Sequence, residues 1–130
     1  MKKIENFLSG KALLMLRLTI ALMFFLHALI RVLHNTIPDF AAFLQSKGFI
    51  FPVAVVWVIT VFELAGSLLL AIGCCTRLLS FLFILLLIAG IVLIHASLGW
   101  FVGEHGTGGS EYSVVLIVAL FVIAAGDKRK

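Results

Sequence analysis

The chain has 130 residues, of which 63% are hydrophobic and only 12% charged, with a mean hydropathy of +1.25. A soluble domain is about half apolar and about a quarter charged, and at this size it could not cover its surface with so few polar side chains. Disorder needs the opposite composition, so a membrane protein remains. The net charge of +4 and the pI near 9.4 do not point to nucleic acid, because the ten Lys and Arg residues stand between apolar runs instead of forming a patch.

A hydrocarbon core of ~30 Å needs about 20 apolar residues in a helix that rises ~1.5 Å per residue. The first such stretch covers about residues 12–30 and is interrupted only by Arg17 and His27. Lys2 and Lys3 ahead of an apolar run also suit a signal peptide. Arg17 breaks that run, however, the run is too long, and no small-x-small cleavage site follows, so it reads as a span. In the connection that follows, Asp39–Lys47 (DFAAFLQSK) puts Phe40, Phe43 and Leu44 on one face, which predicts a short amphipathic interfacial helix.

The second span covers about residues 51–75, with Glu63 near its middle. Cys74 and Cys75 are adjacent, which fits neither a CxxC redox pair nor a zinc site, and neighbours rarely reach disulfide geometry. Both are expected to be reduced and packed as small apolar side chains. The third span covers about residues 78–98, with His95 near its end. After it, Gly99–Gly109 (GWFVGEHGTGG) is expected at the outer interface with Trp100 as anchor, or folded back towards the helices. Its glycines follow no strand and fit no P-loop, and no Ser-His-Asp or Cys-His arrangement emerges from the spacing. The fourth span, about residues 112–126, is short and needs local thinning or help from the flanking loop.

Charge sets the orientation. Lys2, Lys3, Lys11, Arg17, Arg77, Lys128, Arg129 and Lys130 fall on one side, against Arg31 and Lys47 on the other. The positive-inside rule then predicts both termini in the cytoplasm. The expected architecture is a single-domain, all-α, integral membrane four-helix bundle over residues 1–130, N-in and C-in, in the cell's inner membrane.

Ionised groups in hydrocarbon must face the bundle interior and find partners. Arg17, His27, Glu63 and His95 are therefore the informative residues. Thr60, Glu63, Ser67, Ala71 and Cys74 form a small or polar stripe on span two, and Arg17, Ala21, Phe24, Ala28 and Arg31 form one on span one. These faces are expected to meet, with an Arg17–Glu63 pair within reach of the long guanidinium stem. His27 and His95, with Glu63 beneath and Glu104, His105 and Glu111 above, would line a polar cavity open to the outer side. Such a cavity suits a quinone, a proton or solute relay, or a haem or metal. A purely structural ion pair with interfacial histidines suits the same residues. Two histidines without an i,i+4 partner do not predict a metal site.

Taken in order, these elements resemble the DoxX family of small bacterial and archaeal membrane proteins. Arg17-Leu18 stands early in span one, and HALIR (His27–Arg31) takes the place of the usual HGxxK. ELAGSLLLAIGCCTRLLS (Glu63–Ser80) is similar to the family's ExxGxxLLxGxxTRxxA core, with Glu63, Gly66, Gly73, Thr76 and Arg77 in place. His95 with Gly99-Trp100-Phe101 follows, and Gly108-Gly109-Ser110-Glu111-Tyr112 resembles the GGGEY element. The departures are Ala28 for Gly, Arg31 for Lys and Ser67 for Gly.

The resemblance implies a membrane subunit of a quinone-linked oxidoreductase of the thiosulfate:quinone type, or of a redox or sulfur-handling complex. No flavin, iron–sulfur or haem motif is recognisable, so a soluble or membrane redox partner would supply the electron chemistry. Arg17, His27, Glu63, His95 and Glu111 are the candidate site residues, with quinone as the candidate ligand and no metal. The alternatives are a non-catalytic scaffold that recruits a soluble protein and, behind it, a small transporter. Four helices enclose little space for transport unless the chain forms a homo-oligomer.

Overall fold

The computed structural model describes residues 1–95, 99–100 and 110–127, and among these every regular element is helical. Helix α1 runs over Lys2–Leu33, α2 over Ile37–Ser46, α3 over Pro52–Ile72, α4 over Thr76–Gly90 and α5 over Glu111–Gly126. α4 continues into a π-helical turn, Ile91–His95.

α1 is 32 residues long, or about 48 Å at ~1.5 Å per residue. It exceeds the apolar stretch at both ends, because hydropathy marks where lipid begins and not where the backbone stops being helical. Asn35 ends it in the left-handed conformation (φ 54°), which Asn tolerates better than most residues. The N–H groups of Asn35 and Thr36 close back on the carbonyls of Val32 and Arg31 at 3.2 and 3.1 Å.

α2 begins with Pro38 in its first turn, where the missing N–H is not needed. It starts two residues earlier than the sequence predicts, which adds Ile37 to a buried face completed by Ala41 and Leu44. Phe40 and Phe43 are left half-buried beside them.

α3 ends in a Schellman turn, in which the N–H of Cys74 reaches the Leu69 carbonyl at 2.9 Å and that of Gly73 the Leu70 carbonyl at 3.1 Å. Gly73 sits at φ 81°, a conformation costly for any residue with a Cβ. Gly73→Ala is expected to lower the unfolding free energy by about 1–2 kcal/mol, read as a drop in melting temperature in detergent; an unchanged melt would mean that this turn is absent. Cys75 follows, also left-handed at φ 53°. Both cysteines are thiols, but they are exposed in the turn instead of packed as the sequence reading expects.

The chain forms two compact units, Ala21–Cys74 and Met1–Ile20 with Cys75–Lys130. In the first, α2 packs on α3. Ala21, Phe24 and Ala28 of α1 and Val56, Thr60, Glu63, Ser67 and Leu70 of α3 are buried at helical spacing. In the second, α4 packs on α5, with Thr76, Leu79, Ser80 and Phe83 buried on one and Ser113, Leu116, Leu120 and Ile123 on the other. Gly126 lets α5 approach α1 closely, since a Cβ there would stand 2.6 Å from Leu13 Cδ1.

Large apolar side chains such as Leu22, Val58, Val61, Phe81, Val118 and Phe121 point outward. Exposure of so many large apolar side chains in each unit is unusual for a soluble monomer and normal for a surface solvated by acyl chains. Lys2–Leu33, Pro52–Ile72 and Thr76–Ile94 are each long and apolar enough to cross a membrane, whereas the apolar α5 is shorter, at 16 residues.

Candidate functional site

Glu63 is 4% exposed, in the middle of an apolar helix. Such a carboxylate needs a cation or strong donors close by. Arg31 supplies them. Its Nη1 donates to Glu63 Oε2 at 2.7 Å and to Thr60 Oγ1 at 3.0 Å. Thr60 Oγ1 in turn donates to the Val56 carbonyl at 2.7 Å, so the hydroxyl both accepts and donates. The Phe40 ring of α2 lies under the guanidinium, 5.2 Å from Cζ to the centroid.

Three helices thus build the cluster. The last turn of α1 brings the cation, α3 brings carboxylate and hydroxyl one turn apart, and α2 closes it with an aromatic face. The side chains of Arg31 and Glu63 are only 11% and 5% exposed, so the pair is held in a low-dielectric setting where charge-assisted hydrogen bonds are strong.

The sequence predicts Arg17 as the partner of Glu63; in the structure Arg31 takes that place. Arg31 lies on the predicted stripe Ala21–Phe24–Ala28, one residue beyond the predicted end of the first span at Ile30. In the structure α1 continues through Arg31 to Leu33. The stripe on α3 holds as far as Ser67, and Thr60 and Glu63 are both buried on it.

The other candidates are spread along the chain. His27 is exposed on α1, one turn before Arg31. Arg17 lies in the unit that holds the chain's first 20 residues and lines a cleft of about 320 Å³ there. Glu111 opens α5, where an acidic residue in the first turn complements the helix dipole. Its N–H donates to the Trp100 carbonyl at 3.0 Å, which places Trp100 at the head of that helix. His95 ends the π-helical turn, and its side chain, like Glu104 and His105, lies outside the described residues. Among the described residues no three His, Cys, Asp or Glu side chains come together in the manner of metal ligands.

The DoxX family model matches residues 12–96. The chain belongs to the DoxX family. The matched stretch contains Arg31, Phe40, Thr60 and Glu63, and with them the whole buried cluster and the Gly73 turn. No curated protein and no solved structure matches the chain. Family membership and three long apolar helices together make this DoxX protein a multi-pass protein embedded in the membrane.

Proposed function

We propose that this DoxX protein is the membrane subunit of a quinone-linked redox complex in the inner membrane. It would cross the membrane four times with both termini cytoplasmic, and its quinone would be handled at Arg31, Thr60 and Glu63 with His27 as the point of entry. The reading is carried by one observation: a hydrogen-bonded carboxylate–guanidinium–hydroxyl cluster buried in apolar helices, with an exposed histidine one turn away.

A quinone travels within the bilayer and carries two carbonyl oxygens that accept hydrogen bonds and, on reduction, protons. His27 is placed to donate to one of them from the lipid side, and Glu63 is the nearby carboxylate for exchanging the proton. The electrons would come from a redox centre on a partner chain, in line with the lack of any such motif here.

A second reading is favoured by the closure of the same cluster. Arg31 already satisfies both Glu63 and Thr60, as a pair that only pins α1 to α3 would do. In that case the chain is a membrane scaffold that recruits a soluble partner through its loops and tail.

The two are separated by titrating a short-chain benzoquinone into the purified protein. The quinone site predicts affinity about tenfold lower or worse for His27→Ala and for Glu63→Gln, the worth of one lost hydrogen bond. Equal affinity across wild type and both variants would remove the quinone reading. His27 is exposed, so its substitution leaves the fold intact and keeps the comparison clean.

A further inference from the structure

The unit that holds Arg17 contains a feature that the Arg31–Glu63 cluster does not explain. The first 20 residues of α1, the start of α4 and the end of α5 enclose a cleft of about 320 Å³, the lower end of the range for ligand sites. Its lining includes Asn6, Ser9, Gly10, Arg17, Thr76 and Asp127, an unusually polar set for a chain of this composition.

Thr76 is the informative member. It is 2% exposed and its Oγ1 has no hydrogen-bond partner. Buried hydroxyls are nearly always paired, and one left unpaired is a cost that a bound group would relieve. Ser80, one turn further along the same face of α4, is also fully buried with its Oγ unpartnered.

Thr76 is also the first residue of α4, and no side chain caps that helix. The orphan N–H groups of its first turn and the positive end of its dipole favour an anion. Arg17 adds a full positive charge on the α1 wall. Among the described residues, the acidic side chain in the lining is Asp127, which opposes an anion. Its charge is offset by Arg77, whose Nε stands 3.9 Å from Oδ2 and whose Nη2 donates to the Asp127 carbonyl at 2.7 Å.

We infer that this cleft binds a phosphate-bearing anion, with Arg17 as its cation and the first turn of α4, Thr76 included, as its hydrogen-bond donors. The cleft lies where α4 begins and α5 ends, and the ends of membrane-crossing helices are where basic side chains meet anionic lipid headgroups. A phospholipid headgroup and a soluble phosphate compound present the same chemistry to it.

The test is the thermal unfolding of the intact protein in a non-ionic detergent, with inorganic phosphate as one probe and phosphatidylglycerol in mixed micelles as the other, at matched ionic strength. Saturable stabilisation by phosphatidylglycerol alone assigns a lipid headgroup, and by inorganic phosphate as well or alone, a soluble ligand. Arg17→Gln and Gly10→Leu are each expected to weaken the apparent affinity at least about tenfold, through lost charge and through filling of the cleft. Gly10→Leu also covers the case in which Arg17→Gln fails to fold, because a Cβ at Gly10 meets no atom within 4 Å and leucine is the better helix former.

Thr76→Val should move two readouts in opposite directions, raising the melting temperature without ligand and reducing the shift that ligand produces. No saturable stabilisation by either probe would overturn the inference, as would wild-type affinity in both Arg17→Gln and Gly10→Leu.

Discussion

Replacing Arg31 by methionine is expected to destabilise the folded chain by about 3–5 kcal/mol, the usual result of removing one partner from a buried ion pair. Nearly all of that comes from what is left behind. Glu63, 5% exposed at its side chain, would face apolar neighbours with no cation, and Thr60 would lose the donor to its oxygen. Methionine keeps most of the stem's volume and its contact with the Phe40 ring, so packing contributes little to the difference. The double variant Arg31→Met with Glu63→Leu removes both charges together and should recover most of the loss, since buried pairs are often no more stable than apolar residues of similar volume. Melting curves of wild type, both single variants and the double variant form a cycle. If the double variant loses as much as the two singles added together, the groups are not coupled and the buried pair is not the anchor described above.

The same cycle bears on function. A pair kept only for stability should be replaceable by apolar residues without consequence, whereas a pair that exchanges protons with a quinone should not. A stable double variant that no longer binds benzoquinone would support the first reading of the site. A stable double variant that still binds it would confine the pair to holding α1 on α3.

Much of this was legible in the sequence, because lipid leaves few places for a charge. Composition alone demanded apolar helices, and 3–4 spacing put Thr60, Glu63 and Ser67 on one face and Ala21, Phe24, Ala28 and Arg31 on another. The choice of partner for Glu63 was harder to read. The sequence reading weighs only Arg17, because with the span ending at Ile30 Arg31 falls in the connection; yet side chains on a helix lean towards its N-terminus, which carries the Arg31 stem back into the bundle. The Phe40 contact was illegible for a different reason: spacing shows that Phe40 lies on the apolar side of α2, but not that this side meets the Arg31 guanidinium of α1. The cleft beside Arg17 could not be read at all, because Asn6, Thr76 and Asp127 come from three separate stretches and none belongs to a motif that names it.

Ala28 offers the second large effect, and it follows from a departure that the family resemblance exposes. The usual HGxxK element has glycine where this chain has Ala28 and lysine where it has Arg31. Ala28 is wholly buried, at 0% exposure, one turn before Arg31 on the same stripe. Small residues at such points let membrane helices approach closely, and no solvation term softens the clash when they grow. Ala28→Leu is therefore expected to cost about 1–3 kcal/mol by overpacking, and to disturb the Arg31–Glu63 contact by pushing α1 aside. Ala28→Gly restores the family's residue and should cost no more than its lower helix propensity, about 1 kcal/mol. Leu22→Ala, at a position 55% exposed on the same helix, should be nearly silent, because lipid replaces what the side chain loses. Melting temperatures in one detergent would rank the three, and Ala28→Leu melting with wild type would mean that α1 does not pack tightly enough at this level to hold Arg31 against Glu63.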